Sequence, residues 1–352
     1  MTQEPMTANA TQQRAPSGGA VAGRARDLVL RLGGLAIAIL IVVAIFTLVS
    51  KPNTFLTVTN SLGMLRYMST VAIVALGLTL VIVVGEIDLS FGYMYGLAST
   101  IIAVAWIVWG WPVYFAIPLA FLAAIAVGCF NGFLVTVAKI PSFIVTLGSG
   151  QLIFGLTLWL SNTATFNPAY PPPGKTIAPD ELAFFVGLAK QSLPGNFPMQ
   201  GIWMIGAAVV IGLLLSRSLF GFRLKAIGGN PAAAELARLP VRKYKIAAFI
   251  ICALMASLAA TLDFSFIGST QPNAGISLLF PVFAAVIIGG ASLSGGRGTA
   301  IGTLMGALLL SIISNGLALN AAGGYLSNLV LGGVTIAAVL LDQFTQRRRR
   351  AT

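Results

Sequence analysis

The residues from Ser61 to Val84 read SLGMLRYMSTVAIVALGLTLVIVV, and a polar break, GEIDLSFG, follows at residues 85–92. A run of about 20 apolar residues is the length that crosses the hydrocarbon core of a membrane as a helix. Nine more apolar runs flank this one, and the ten predict an all-α, polytopic membrane protein of about ten transmembrane helices. The runs are Leu28–Ser50, Ser61–Val84, Phe91–Trp109, Val113–Ala138, Ser142–Ser161, Gly201–Leu219, Ile246–Gly268, Gly275–Gly290, Thr299–Leu319 and Tyr325–Leu341.

The composition agrees with a chain whose outer face meets lipid. Hydrophobic residues make up 57% of the 352 residues and charged residues only 9%, whereas soluble domains carry about a quarter charged residues. The net charge of +12 lies in loops and tails, as membrane orientation requires, so a nucleic acid partner is not expected. Histidine is absent and the two cysteines, Cys129 and Cys252, lie far apart in apolar runs, so neither a metal site nor catalysis is expected.

The distribution of Lys and Arg predicts the orientation, because cytoplasmic segments carry an excess of both. We expect a disordered cytoplasmic tail at residues 1–27, a transmembrane domain at 28–342 and a basic cytoplasmic tail at 343–352. The basic loop at 220–245 is then cytoplasmic and the proline-rich loop at 162–200 periplasmic, with a short amphipathic helix at Pro179–Leu188. Both termini are expected in the cytoplasm of a bacterium, with the chain in the inner membrane.

Two parts of the chain resemble each other. Residues 85–92, GEIDLSFG, resemble residues 289–296, GGASLSGG, and Asn131-Gly132 resembles Asn315-Gly316. Interrupted helices at matching positions of a repeat lie near the substrate path in many transporters. The alternative is chance similarity of Gly- and Leu-rich membrane sequence. The run Gly275–Gly290 is short for a full crossing, and it is either re-entrant or part of a broken helix.

Polar residues inside apolar runs are costly and need a reason. Asp88 and Ser90 either cap a broken helix or, with Glu86, face the substrate. Asn131 and Asn315 either bond across helices or face the pathway. Asp263 begins a polar cluster that lines the outer mouth or is an ordinary solvated helix end. The candidates for the translocation pathway are Glu86, Asp88, Ser90, Asn131, Asp263, Gln271, Ser294 and Asn315.

The segment 221–245 predicts a short helix with marked ends. Asn230 is a good N-cap, Pro231 suits the first helical position, and Pro240 stops the helix after about two turns. A helix of this length is not stable alone and must dock onto something. The two alternatives are a groove on a cytoplasmic partner and the anionic headgroups of the membrane.

Five motifs in order resemble those of the permeases of ribose/xylose-type ABC sugar importers. They are GEIDLSFG (85–92), IPSFIVTLG (140–148), AIGGNPAAAELARLPVRKYKI (226–246), GGASLSGGRGTAIGTLMGALLL (289–310) and ISNGL (313–317). The resemblance implies a permease homodimer, a cytoplasmic ABC ATPase that uses ATP and Mg²⁺, a periplasmic solute-binding protein and no cofactor in this chain. It also implies that ATPase coupling rests on Gly229, Asn230, Pro231, Ala233, Glu235 and Arg238.

The sequence departs from the family pattern at a few positions. Glu86 stands where the family usually has a second glycine, and Leu279 and Pro281 replace frequent acidic residues. These changes put the substrate in doubt more than the fold. A pentose, hexose or polyol is expected; the alternatives are a nucleoside, an amino acid, a furanose-like signal or, further away, an ion-coupled secondary transporter.

Overall fold

The computed structural model describes residues 18–320, 325–326, 329–337 and 340, and most of this part of the chain is helical. Two short strands, β1 (Ser192–Leu193) and β2 (Phe197–Pro198), form the one sheet among these residues. The predicted all-α class is confirmed. The helices are α1 Gly18–Val49, α2 Val58–Val83, α3 Phe91–Ala103, α4 Val113–Thr136, α5 Ser142–Ser161, α6 Pro179–Gly187, α7 Met199–Arg217, α8 Leu219–Gly229, α9 Pro231–Leu236, α10 Val241–Ile267, α11 Leu279–Ile288 and α12 Ala300–Leu319.

Eight helical segments in the described residues are long and apolar enough to cross a membrane, and they match eight of the ten predicted runs. Of the other two runs, Gly275–Gly290 contains a 3₁₀ turn, Ile276–Leu278, and the ten residues of α11, which together are too short to count among these segments. The run Tyr325–Leu341 lies partly outside the described residues, within which residues 329–337 are helical.

The structure differs from the predictions in two places. The tail was expected to be disordered to residue 27, but α1 begins at Gly18, because the Ala and Arg residues there favour helix. Residues 1–17 and 343–352 lie outside the described part. The basic loop was expected to hold one helix, but α8 precedes α9 in it. Ser218 separates α8 from α7 and caps it, accepting a hydrogen bond from the Gly221 amide at 3.1 Å.

Helix α2 forms the centre of the bundle, and every residue from Met68 to Val83 is buried. It packs against α10, α12, α7 and α11. Small residues let these helices approach, as they do in membrane helix pairs generally. A Cβ added at Gly77 of α2 would lie 3.0 Å from the Cα of Cys252 in α10, so the two backbones touch there.

The first broken span begins where α2 ends. Residues 84–90 are non-helical, Gly85 has φ +87°, and α3 starts only at Phe91. A single π-helical segment, Val104–Val108, completes the crossing. The predicted loss of helical continuity at Gly85–Gly92 is therefore confirmed.

A second broken span lies between α10 and α12. Thr270 pairs with Phe166 beside α6, whereas Gly295 lies against Gly228 at the end of α8. We call these two ends of the bundle the α6 end and the basic end. The chain from Gly268 to Gly295 therefore runs from one end to the other, as a non-helical stretch with turns at residues 272–275, a 3₁₀ turn and α11. This finding favours the broken-helix interpretation of Gly275–Gly290.

The connection at 162–200 contains α6, which matches the predicted short helix. Its Phe185 is buried against Trp106 and Phe264, with ring centroids 5.1 and 4.9 Å away. The Ser265 hydroxyl donates to the Phe185 carbonyl at 2.5 Å. The part of this connection that contains α6 therefore packs against α10 and the π-helical segment that follows α3.

Candidate functional site

Helix α9 projects from the basic end and is held by its own cap. The Asn230 side chain accepts a hydrogen bond from the Ala233 amide at 3.0 Å, and Pro231 occupies the first turn. Ala234 is buried beneath the helix, and the outward residues are exposed. Leu236 stands out among them because it is an apolar side chain that is 87% exposed. The exposed members of the predicted coupling set are Gly229, Asn230, Pro231, Ala233, Glu235 and Arg238.

Five glycines bring the base of α9 against both repeated motifs. We call this contact the glycine junction; its members are Gly85, Gly228, Gly229, Gly295 and Gly296. The Gly296 amide donates to the Val83 carbonyl at 2.8 Å. A Cβ at Gly295 would lie 2.6 Å from the carbonyl oxygen of Gly228, and one at Gly296 would lie 2.8 Å from the Cα of Gly229. The backbones therefore touch directly, and the base of α9 packs against both repeated motifs with no side chain between them.

An ion pair lies at the same end. Lys245 of α10 donates to Glu86, and their side chains are 19% and 12% exposed. The pair ties the first broken span to α10, the helix that follows α9. Nearby, Lys225 of α8 donates to the Leu215 carbonyl at 2.9 Å, and its burial lowers the pKa of its ammonium group.

Asp88, Ser90 and Asn131 form a buried network in the first break. The Asp88 carboxylate accepts hydrogen bonds from the amide and the hydroxyl of Ser90, at 2.8 and 2.6 Å. The Asn131 amide donates to the Ser90 hydroxyl at 2.8 Å. All three side chains are at most 1% exposed. Their contacts suit a structural role in holding the non-helical backbone, which was one of the two predicted alternatives.

Asp263 lies in a second polar network, near the α6 end. Its carboxylate accepts hydrogen bonds from Tyr95 at 2.5 Å, Thr70 at 2.7 Å and Gln200 at 3.1 Å. These partners belong to α3, α2 and α7, so one carboxylate joins four helices. Asp263 therefore links four helices inside the bundle and is not a solvated helix end.

The remaining predicted pathway residues lie apart from one another. Asn315 of α12 exchanges hydrogen bonds with Asn60 of α2 at 2.8 and 2.9 Å, as interhelical pairs do. Gln271 is exposed at the α6 end, and Ser294 is exposed in the turn at the basic end. The structure brings together Asp88, Ser90 and Asn131, but it does not join all eight candidates in one site.

Some exposed polar groups at mid-bundle were absent from the predicted set. Gln151, in the middle of α5, donates to the Tyr93 hydroxyl at 3.1 Å. Asn273 and Ser277 are exposed on the second broken span. Gln151 could have been found from the sequence, because it is a polar residue inside an apolar run, as Asn131 is. Among the described residues, no three His, Cys, Asp or Glu side chains come together as a metal site would need.

Comparison with known proteins assigns the chain to a family. Residues 60–339 match the model of the permease component of branched-chain amino acid transport systems. The chain belongs to this family of transport permeases. It is 30% identical to the xylose transport system permease protein XylH of Escherichia coli, over 89% of this chain and 92% of that protein.

Ribose permeases are similar over the same extent. The chain is 34% identical to the ribose import permease protein RbsC of Escherichia coli, over 88% of this chain and 93% of that protein. It is also 34% identical to RbsC of Bacillus subtilis, over 86% and 90%. The predicted resemblance to ribose/xylose-type ABC permeases is confirmed. Proteins of this family are transport permeases rather than enzymes, and nucleotide is used by a partner ATPase.

Proposed function

We propose that the chain is the membrane permease subunit of an ATP-driven, binding-protein-dependent importer of a monosaccharide or a similar polyol. The observation that carries this proposal is α9, a short capped helix that is exposed on one face and seated on the glycine junction. A partner that moves α9 moves both broken spans, because backbone meets backbone at their contact. The sugar permeases among its full-length relatives support the class of solute.

The orientation follows from charge. Arg217, Arg238, Arg242 and Lys243 cluster around α8, α9 and the start of α10, whereas α6 begins with Asp180 and Glu181. The positive-inside rule makes the basic end cytoplasmic. The coupling loop at 220–245 then meets the ATPase, and the connection at 162–200 meets the periplasmic solute-binding protein. The termini lie on the cytoplasmic side of a bacterial inner membrane.

A second copy of the chain completes the pathway, so the permease is a homodimer. Helix α5 supports this because only a third of its span is buried within one chain. Its open face carries Gly148, Gln151 and Gly155, and nothing lies within 4 Å of a Cβ built at either glycine. Small residues and a polar amide are typical of helix interfaces in membranes and unusual on a lipid-facing surface.

Coupling works through two conformations. The ATPases close on ATP and move the two α9 helices, one from each copy, and the broken spans follow through the glycine junction. The equilibrium between the outward-open and inward-open states shifts because ATP binds one state better. Replacement of Ala233 or Glu235 by Trp should uncouple ATP hydrolysis from transport, and normal uptake at normal expression would contradict this role.

The proposal is tested by reconstituting the chain in proteoliposomes with its ATPase and solute-binding protein. ATP hydrolysis and uptake are measured for pentoses, hexoses and inositols, with and without the binding protein. Stimulation by one loaded binding protein supports the importer and names the solute. Uptake that follows an ion gradient without any ATPase rejects it in favour of a secondary transporter.

One alternative has support from the family model, whose description names branched-chain amino acids. An amino acid presents both a carboxylate and an ammonium group, which a pathway recognises with charged side chains. Leucine, isoleucine and valine belong in the same panel. Stimulation by one of these amino acids with no response to any sugar would favour this alternative.

A further inference from the structure

The first turn of α3 lies at the middle of the bundle, between α5 and the second broken span. Tyr93 packs on α5, where a Cβ at Gly150 would lie 2.6 Å from its ring. Gly92 packs on the other side, where a Cβ would lie 2.8 Å from the Gly275 carbonyl oxygen. Because neighbouring residues of one helix make the two contacts, α5 and the second broken span line adjacent sides of α3 at one level.

This level carries polar side chains that remain exposed in a single chain. Gln151 is the tenth of the 20 residues of α5, so it lies near the midpoint of the crossing. Its amide donates to the Tyr93 hydroxyl, which has no other hydrogen-bond partner among the described residues. Asn273 and Ser277, which flank Gly275, are exposed as well. Phe280 lies one turn beyond Ser277 and is 66% exposed.

Exposed amides and hydroxyls at mid-membrane are not compatible with a surface that faces lipid. Each polar group left without water or a partner in hydrocarbon costs several kcal/mol, and irregular backbone at this depth occurs only where protein or a water-filled cavity covers it. The second broken span brings such backbone to the same level. Water, a solute or a second copy must therefore cover this face.

We propose that Tyr93, Gln151, Asn273, Ser277 and Phe280 form one half of the solute-contact site in the translocation pathway, completed by the same residues of a second copy. This inference rests on the proposed function. The site takes an uncharged polyhydroxyl solute, a monosaccharide or a polyol. Amides and hydroxyls both donate and accept hydrogen bonds, as sugar hydroxyls require, and the Phe280 ring offers an apolar face to the C–H groups.

The elements that carry the proposed site contain no charged residue, which favours an uncharged solute. Residues 91–108, 142–161 and 269–288 contain no Asp, Glu, Lys or Arg. The neighbouring carboxylates are already engaged: Asp88 accepts from Ser90, Asp263 accepts from Tyr95, Thr70 and Gln200, and Glu86 is paired with Lys245 at the basic end. A charged amino acid or a phosphate would lose its hydration at this level without gaining an opposite charge, so neutral solutes are favoured.

The test uses the reconstituted transporter with single cysteines in a Cys129→Ser background; Cys252 is fully buried. Gln151→Cys, Asn273→Cys and Ser277→Cys are treated with a membrane-impermeant, charged thiol reagent, with Val210→Cys, in an apolar groove of α7, as the control. Val210 is 62% exposed in one chain. We expect labelling at the three site positions, slowed by the transported sugar, and none at 210.

Transport gives the second readout. Tyr93→Phe and Gln151→Leu keep the shape and remove hydrogen bonds, so each should slow uptake by about two- to tenfold. ATP hydrolysis stimulated by the loaded binding protein should persist. Unlabelled site cysteines together with normal uptake in both variants would overturn the site while leaving the importer intact. Failure of the unmodified chain to respond to any binding protein would instead reject the proposed function.

Discussion

At the scale of single residues, the glycine junction depends on hydrogen atoms where other residues carry a Cβ. Gly296 combines a φ of +75° with direct contact to Gly229, whereas Gly268 has a φ of +76° and open space around it. A side chain at either position would be strained by the positive φ. Only at Gly296 would it also collide with a neighbouring residue. This difference separates the effect of contact from the effect of backbone strain.

We predict that Gly296→Ala destabilises the protein more than Gly268→Ala does. The positive φ costs about 1–2 kcal/mol at either position, and only Gly296 adds a collision with backbone. The measurement is thermal unfolding in detergent, followed by binding-protein-stimulated transport. Equal melting temperatures for the two variants would show that the junction is looser than its distances indicate.

The ion pair between Glu86 and Lys245 gives a second prediction at this scale. Glu86→Ala should lower the free energy of unfolding by about 1–3 kcal/mol, because a poorly hydrated ammonium loses its partner. The exchange Glu86→Lys with Lys245→Glu should recover part of the loss. Lys243→Ala, an exposed neighbour, is the matched control. A double exchange that is as unstable as the worse single variant would argue against direct pairing.

At the scale of elements, α9 combines a stable base with an exposed apolar tip. Its N-cap and the buried Ala234 hold it in place, while Leu236 contacts water in the isolated chain. An apolar side chain that is exposed on a short helix favours binding when a partner's groove removes its surface from water. This combination of a held base and an exposed side chain suits the contact with the ATPase that we propose for α9.

We predict that Leu236→Glu abolishes co-purification of the ATPase while leaving the melting temperature of the permease unchanged. An 87% exposed side chain contributes little to folding, but its burial in a groove contributes to binding. Leu219→Glu, at a leucine that is 73% exposed at the start of α8, is the control. If both variants kept the ATPase bound, α9 would not be its contact.

At the scale of the whole molecule, the two broken spans lie side by side. The non-helical part of the second span passes along the helical part of the first, with contacts at Gly92, Gly96 and Gly275. Each break therefore meets protein instead of lipid, and an open face remains at their junction, where we propose that a second copy binds. The pathway of such a dimer would lie between the chains, not within one.

We predict that two copies meet through α5. In a Cys129→Ser background, Gly148→Cys should form a disulfide-linked dimer on mild oxidation in native membranes, because its surroundings in one chain are empty. Gly206→Cys of α7, which is equally open, should stay monomeric. Non-reducing electrophoresis distinguishes the two. Cross-linking at 206 and none at 148 would put the interface on the other side of the bundle.

Local rules predicted much of this structure and missed its long-range contacts. The Asn230 cap, the Pro231 start and the break at Gly85 follow from residues a few positions apart, so the sequence reveals them. The partner of Glu86 is Lys245, 159 residues later, and no local pattern points to it. Gln151 carries the same local signal as Asn131, a polar residue inside an apolar run, but the run alone does not say which side of α5 stays exposed in the folded chain.

The non-helical residues 84–90 have a consequence for how the chain is made. The Ile87 amide donates to the Ser142 hydroxyl at 3.1 Å, and Ser90 receives its bond from Asn131. The ribosome adds these partners about 40 to 55 residues later, and unpaired peptide groups do not enter hydrocarbon. We therefore expect the cysteine of Asp88→Cys to react with aqueous thiol reagents in chains truncated after residue 112. In chains truncated after residue 161 the same cysteine should be unreactive. An unreactive cysteine in the shorter chains would contradict this expectation. We therefore expect insertion of the first broken span to wait for α4 and α5, so that the order of membrane integration differs from the order of synthesis.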